Sequence, residues 1–306
     1  MTTFIHEVLQ TLKANKEIIA NLTFVLPSKR AGVFLKNNIP HVYQQTVFSP
    51  EILSIEEFTS NLSQLKPISN VELLFEFYTV YKELTKPSEQ DSFESFSKWA
   101  QVIIQDFNEI DRYLIPQEDI LNYLSAIQDI NHWSQQENKS DFIIKYLAFW
   151  NKLLVYYNHF TETLIHKGIG YQGLIYREAV NNIESYIQTN TDKKLVFLGF
   201  NALNKAEETI IQELLQNELA EIYWDIETSY LNNPLHDAGL FVKQYKQNWS
   251  YFKANPFNWV SNNYTQEKEI SVYGVPKNVG QAKQIGSILN TQISNRGNLD
   301  KTAIVL

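Results

Sequence analysis

At the start of the chain, hydrophobic residues recur every three or four positions, which is helical spacing, and a short apolar segment follows. The spacing over residues 3–22 predicts a helix, and the apolar run over 23–27 predicts a buried strand. Ser28 is a suitable N-cap for a second helix, which Pro40 is expected to end. The chain therefore begins with a helix followed by a strand–turn–helix unit.

The pattern changes twice further along the chain. A second strand is predicted over residues 48–55, where Ser54 caps the next helix. From residue 71 to about 188 the hydrophobic positions repeat at helical spacing, with almost no strand signal. Strand and helix signals then alternate again, over 194–199 (strand), 205–215 (helix), 221–226 (strand), 270–275 (strand), 279–293 (helix) and 302–306 (strand).

These segments predict an α/β protein whose parallel sheet is interrupted by a large all-helical insertion. We expect residues 1–65 and 191–262 to form one discontinuous sheet domain, with the helical insertion over 66–190. Residues 263–306 are expected to begin a second domain. Because an apolar strand at the end of a chain lacks a partner, we expect this chain to be the N-terminal part of a longer polypeptide.

Composition and charge exclude several classes of protein. The 26 basic and 34 acidic residues give a net charge of −8, so any contact with DNA has to be local. The absence of cysteine excludes disulfides, thiolate metal sites and cysteine nucleophiles, and it suits a reducing cytoplasm. The sequence contains no run of about 18 apolar residues, so it predicts no membrane span.

Two motifs resemble cofactor or metal sites but lack the required context. Gly168, Gly170 and Gly173 spell G-x-G-x-x-G, yet a helix precedes them instead of a strand, which favours a helix C-cap and turn. No G-x-x-x-x-G-K-[ST] phosphate loop occurs. Asp106 and Asp111, with the glutamate between them, are more typical of a solvated helix end than of a metal site. We therefore expect no cofactor and no metal.

The sharpest positive signal lies at the carboxyl end of the first strand. Ser28, Lys29 and Arg30 place a hydroxyl, two cations and helix N-terminal amides where open α/β sheets bind anions. A surface turn with solvated cations explains the same residues equally well. If the site binds nucleic acid, Lys36 adds a third cation to the rim. From the neighbouring strand end, a stacking ring and an amide come from Phe200 and Asn201.

Several phrases of the sequence, in matching order, resemble one protein family. They are residues 24–35, 54–58, Trp99 with 106–113, 173–177 and 197–207. They are similar to the N-terminal half of AddB-like proteins of Bacteroidetes, in which a superfamily 1 helicase-like region is fused to a C-terminal PD-(D/E)XK nuclease domain. The resemblance spans essentially all of the chain. It implies a RecA-like sheet interrupted by the helical insertion, followed by the start of a second RecA-like domain.

The same resemblance implies a DNA-handling scaffold without ATPase activity. Residues 27–32 and 52–58 match helicase motifs, the first of which contacts single-stranded DNA. Gly199 and Phe200 stand where an active motor carries magnesium-binding acids, and Gln281 stands where a glutamate is usual. The expected partners are DNA and an AddA-like helicase–nuclease subunit, in double-strand-break repair. The alternative is a protein-interaction module whose helical insertion docks a partner helicase subunit without contacting DNA.

Overall fold

Four parallel strands form the central sheet of this chain, which a computed structural model describes over residues 3–131, 141–258, 266–300 and 302–305. The order across the sheet is β2-β1-β5-β6. Phe24 of β1 pairs directly with Val196 of β5, although a long helical segment separates them in sequence. A short parallel pair, β3 with β4, lies apart from this sheet. The strands are β1 (Leu22–Leu26), β2 (Glu51–Ser54), β3 (Lys66–Pro67), β4 (Ile169–Gly170), β5 (Lys194–Leu198) and β6 (Ala220–Tyr223).

Fourteen helices are found in the described residues. The first is shorter than the predicted helix over 3–22, because it ends at Ala14 and the chain turns at Lys16, which has a φ of 61°. Three 3-10 turns accompany them, at Ile19–Asn21, Pro87–Glu89 and Asp237–Gly239. The helices are α1 (Phe4–Ala14), α2 (Lys29–Tyr43), α3 (Ile55–Ser63), α4 (Asn70–Leu84), α5 (Phe93–Arg112), α6 (Gln117–Asn131), α7 (Asp141–His166), α8 (Gln172–Asn181), α9 (Ile183–Thr189), α10 (Lys205–Gln216), α11 (Thr228–Asn232), α12 (Leu240–Asn248), α13 (Tyr251–Ala254) and α14 (Lys277–Arg296). None of them combines the length and apolar composition that a membrane span requires.

Both faces of the sheet are covered by helices, so its strands are apolar on both sides. Phe24 and Leu26 of β1 point into a core shared with α1 and α2. Val25, between them, points into the opposite core, which contains side chains of α3, α8, α9, α10 and α12. The α2 connection from β1 to β2 therefore crosses one face, and the α10 connection from β5 to β6 crosses the other. This is a doubly wound sheet whose winding reverses between β1 and β5.

Helices α4 to α7 form a lobe with its own aromatic core, as predicted for the helical insertion. Phe77 lies at its centre, and its ring centroid is 4.9 Å from that of Phe160 and 5.4 Å from that of Phe96. The packing boundary falls inside α8, because Ile175 belongs to the lobe core and Tyr176 to the sheet core. The predicted insertion of residues 66–190 thus includes two helices, α8 and α9, that help to cover the sheet.

Pro40 does not end α2, contrary to the sequence prediction. The helix continues to Tyr43 and ends at Gln44, which adopts a left-handed conformation with a φ of 52°. Proline removes one helical hydrogen bond, to the carbonyl of Lys36, which is an exposed residue. Continuing the helix buries Val42 and Tyr43, which compensates for the lost bond.

A second compact unit, Thr265–Leu306, contains α14 and confirms the predicted helix there. The two strands predicted around it are wrong, because residues 270–275 and 302–305 form no ladder. Val272 and Val305 are each 92% exposed. A strand needs a neighbour for its backbone hydrogen bonds, and these two segments do not pair. The predicted domain boundary between residues 262 and 263 lies outside the described residues.

Candidate nucleic-acid interface

The helix α2 begins at the point where the winding of the sheet reverses. Open α/β sheets bind ligands at such a point, in the crevice beyond the carboxyl ends of the strands. Here that edge is formed by the ends of β1 and β5, followed by Ser28 and Gly199. Ser28, Lys29, Arg30 and Asn201 all follow these two strand ends directly, as the sequence predicts.

The N-termini of two other helices at this edge are capped by glutamate side chains of the protein itself. In α3, Glu57 Oε2 accepts a hydrogen bond from the Ser54 backbone N–H at 2.9 Å. In α10, Glu207 Oε2 accepts from the Asn204 backbone N–H at 3.0 Å. Each carboxylate lies against the positive end of its helix dipole, the place that a bound phosphate would otherwise take.

The start of α2 differs, because its first turn contains no acidic residue. Ser28 Oγ caps the helix by accepting from the Ala31 backbone N–H at 3.3 Å. Lys29 and Arg30 follow in the same turn, and both are exposed. Among the helices that follow β1, β2 and β5, α2 is therefore the one whose charge favours an anion.

Lys29 is already paired within the protein. Its Nζ lies 2.8 Å from Glu57 Oε1, in an ion pair that links the starts of α2 and α3. The hydrogen bond to Glu57 raises the pKa of Lys29, and the same bond is the main reason that the pKa of Glu57 is lowered. Part of the predicted positive charge is thus cancelled locally. The guanidinium of Arg30 has no partner among the described residues.

Phe200 is wrongly predicted as a stacking face. Its side chain is only 5% exposed, and its ring centroid is 5.9 Å from that of Phe197 in the sheet core. The chain turns at Gly199, which has a φ of +71°, and the next side chain packs inward. Asn201 is exposed and keeps its predicted place at the edge.

Lys36 is exposed but does not lie at the sheet edge. It follows Lys29 by seven residues on α2, so it lies about 10 Å further along the helix axis. Seven residues are close to two full turns, and the two lysines therefore share one side of α2. The six predicted residues thus separate into four at the edge, one along α2 and one in the core.

A segregation of charge around α2 was overlooked in the sequence. No aspartate or glutamate occurs between Glu17 and Glu51, although the chain has 34 acidic residues. This acid-free segment, residues 18–50, contains Lys29, Arg30 and Lys36 and forms β1, α2 and the loop to β2. A plain count of charges along the chain is sufficient to find it. The net charge of −8 is therefore spread unevenly along the chain, although Glu57 of α3 still lies against Lys29 at the start of α2.

The acidic group around Asp111 is structural. Asp111 is fully buried, which corrects the prediction of a solvated helix end, and its carboxylate accepts from Tyr157 OH, Tyr171 OH and Arg177 Nε. Burial raises the pKa of Asp111, and its three donors offset that effect only in part. No group of three His, Asp or Glu side chains in the described residues is arranged to hold a metal.

The glycine motif is also structural, and the prediction of a helix C-cap and turn is confirmed. The helix α7 ends at His166, and Gly168 follows with a φ of +67°. Gly173 lies at the start of α8, where an added Cβ would be 2.2 Å from the backbone oxygen of Asn108. Its N–H also donates to Asn108 Oδ1 at 2.7 Å. The glycine therefore permits close packing of α8 on α5.

The carboxyl edge thus combines a free guanidinium, a helix start without acidic residues and an exposed amide. These groups are able to contact a phosphate, whereas the starts of α3 and α10 are already capped by glutamates. No known protein-family model matches this chain, and no curated protein is significantly similar to it.

Proposed function

We propose that this chain is a DNA-handling scaffold without catalytic activity of its own, the helicase-like region of an AddB-like nuclease in double-strand-break repair. One observation carries the proposal. Arg30, which has no partner among the described residues, lies in the first turn of α2, at the point where the winding of the sheet reverses. It belongs to the acid-free segment of a chain that is otherwise acidic. The resemblance of residues 24–35 to a helicase motif that contacts single-stranded DNA supports the same reading.

The inactive motor in this proposal is supported by the residues at the same edge. Glu57 and Glu207 belong to capping boxes at the starts of α3 and α10, and each box satisfies two backbone N–H groups, those of the N-cap residue and of the glutamate itself. Gly199 and Phe200 after β5 supply no carboxylate for magnesium. We expect titration calorimetry with Mg-ATP to show no binding in the micromolar range, and a dissociation constant below about 10 μM would contradict the degenerate-motor proposal.

Fluorescence anisotropy with a labelled, tailed DNA duplex tests the DNA contact. At about 50 mM salt we expect binding that Arg30→Ala weakens, with the log–log salt slope flattened by about 0.7 to 0.9 for each lost phosphate contact. The double variant Lys29→Ala with Arg30→Ala should flatten it by roughly one to two units. Lys66→Ala, which removes an exposed lysine of β3, outside the four-stranded sheet, is the matched control. No binding by the wild type, or equal effects of Arg30→Ala and Lys66→Ala, would overturn the proposal.

The interaction-module alternative is favoured by a different surface. Val71, Phe75 and Tyr78 follow each other at helical spacing on α4, and Phe75 is 55% exposed while its ring stacks on Phe93 at 4.8 Å. A cleft of about 590 Å³ opens beside Val71 and is lined by apolar and carboxamide side chains without any charge. If Phe75→Asp abolishes binding to an AddA-like subunit while DNA binding is absent from the wild type, this second function replaces the first.

A further inference from the structure

Helix α5 has a buried side and an exposed side along the whole of its 20 residues. Phe96, Ala100, Ile103 and Phe107 are buried in the core of the helical lobe. The residues at helical spacing on the opposite side, from Glu94 to Arg112, are exposed or half-buried and form the outer stripe of α5. The stripe is about 27 Å long, and the packing behind it holds it in place.

The charges of the outer stripe follow an order that is complementary to its own reverse. From the start of α5 the order is acidic, basic, acidic and basic, at Glu94, Lys98, Glu109 and Arg112. In an antiparallel second copy, Glu94 therefore lies opposite Arg112. In nearly the same register Lys98 lies opposite Glu109, because both pairs have their midpoint along the helix axis at about the level of Ile103. A two-fold axis at this level thus sets opposite charges against each other at four places.

The middle of the outer stripe is uncharged and fits the same register. Gln101 and Gln105 also have their midpoint at the level of Ile103, so each would face the other across the two-fold axis. A carboxamide both donates and accepts hydrogen bonds, and it can therefore pair with a second carboxamide. Val102 lies between them in sequence and is 57% exposed, so a second copy would cover apolar surface there.

The charge balance of the stripe favours a second copy as its occupant. Each copy has a net charge of −8, and two such chains repel each other overall. The two acidic and two basic residues of the outer stripe cancel, so this repulsion is absent there. A partner with charges of one sign would be repelled by half of the stripe, whereas an antiparallel copy matches every charge.

The ion pairs already present within α5 are compatible with this docking. Lys98 Nζ lies 3.3 Å from Glu94 Oε1, and Arg112 Nη1 lies 3.7 Å from Glu109 Oε1. Both pairs are exposed and join neighbouring turns of one helix. A second copy would bring one pair of each kind together, with two carboxylates and two cations in alternation, and such a network is stronger than an isolated surface pair.

We propose that the outer stripe of α5 is a self-association surface, at which two copies of this chain dock with their α5 helices antiparallel around a two-fold axis. Each copy contributes mainly one helix, so the interface belongs to the small class and the dimer is weak. We expect a dissociation constant of about 10–100 μM. Self-association of this kind is independent of the DNA-handling function proposed above.

Sedimentation equilibrium of the full 306-residue chain at about 50 mM salt, from about 5 to 500 μM protein, measures the association. Lys98→Glu and Glu109→Lys each set like charges against each other at two places. Each is expected to weaken the dimer by about 5- to 30-fold. The double variant, with both changes, restores opposite charges and should recover the affinity. Lys205→Glu is the matched control, because it reverses an exposed lysine that pairs with Glu208 within α10.

A mixture of the two single variants tests the antiparallel arrangement directly. In a mixed dimer the reversed position of one chain faces the reversed position of the other, so both pairs again join opposite charges. The mixture is therefore expected to associate more strongly than either variant alone. Equal melting temperatures confirm that the variants fold.

Three results would overturn the self-association proposal. The first is a wild type that stays monomeric up to about 500 μM. The second is an equal effect of Lys98→Glu and Lys205→Glu, which would assign any dimer to another surface. The third is a mixture that associates no more strongly than the single variants. None of these results bears on DNA binding, which is measured separately with Arg30→Ala.

Discussion

Lys29 and Glu57 form an ion pair that joins the starts of two helices, with 2.8 Å between Nζ and Oε1. The pair couples a residue just after β1 to a residue just after β2, and it cancels a cation at the very edge where DNA is proposed to bind. It is also largely exposed, at 72% and 39% of the two side chains, so its effect on folding is small. Its effect on the charge of the site is direct.

Glu57→Gln is therefore expected to strengthen DNA binding at low salt, by several-fold. The amide keeps an oxygen for the Ser54 backbone N–H, so the helix cap is preserved while Lys29 is released. Anisotropy measures the change. The control is Glu72→Gln, which alters the same kind of cap, with Ser69, in the helical lobe. If both variants or neither strengthen binding, Lys29 is not part of a DNA contact.

The buried ion pair between Asp111 and Arg177 gives a prediction about stability. Arg177→Met leaves the Asp111 carboxylate buried without its cation and is expected to lower the free energy of unfolding by about 3–5 kcal/mol. Urea unfolding followed by circular dichroism measures the loss. Lys98→Met, which breaks an exposed pair with Glu94, should cost less than about 1 kcal/mol. Similar losses in the two variants would contradict a structural role for Asp111.

Gly173→Ala is expected to destabilise the protein by about 1–3 kcal/mol through overpacking. The new methyl group would lie 2.2 Å from the backbone oxygen of Asn108, so the backbone itself has to shift. Gly170→Ala is the comparison, because its methyl group would first meet a side-chain carbon of Ile175 at 3.3 Å. Thermal unfolding of the two variants should rank Gly170→Ala as the milder change, and the reverse order would refute this account of the glycine motif.

Alkaline pH is expected to destabilise the fold. Burial raises the pKa of Tyr157, Tyr171, Tyr176 and Tyr223 above the ordinary value of 10.0. Because the folded pKa is the higher one, their contribution to stability is complete below pH 10 and is lost as the pH rises beyond it. Each tyrosine contributes a slope of up to about 1.4 kcal/mol per pH unit. Urea midpoints between pH 9 and 11 measure the slope, which Tyr223→Phe should reduce.

Much of the sheet was predictable because its strands are continuous apolar runs bounded by clear helix caps. The strands that contain Phe24 and Val196 and the cap at Ser54 follow from local pattern, and the expected discontinuous sheet domain places the two strands in one sheet. The ion pair between Lys29 and Glu57 was not predictable, because it depends on β1 and β2 being neighbours. The side-chain direction of a residue beyond the end of a strand does not follow from the alternation within the strand. For that reason the sequence predicts an exposed Phe200, whereas its side chain is buried in the core.

The strands predicted around α14 show a different limit of local pattern. Residues 270–275 have the composition of a buried strand, but a strand forms only where a second one supplies its hydrogen bonds. The acid-free segment shows the opposite case, since it is visible in the sequence without any structure. The exposed side of α2 could not be assigned from the sequence, because only the packing of Leu35 and Ile39 shows which side of the helix faces the core.

The direct pairing of Phe24 with Val196 has a consequence for the newly made chain. About 170 residues separate the two strands, and at 5–20 residues per second a ribosome needs about 10–30 s to make them. During that interval β1 has no partner on the side that β5 later occupies. Apolar residues such as Val25 cannot yet be buried, because most of the core around them has not been translated. The helical lobe needs no residue beyond Ile175 for its own core, and it is complete before β5 is translated. The order of synthesis thus allows the lobe to fold first and makes closure of the sheet the later step.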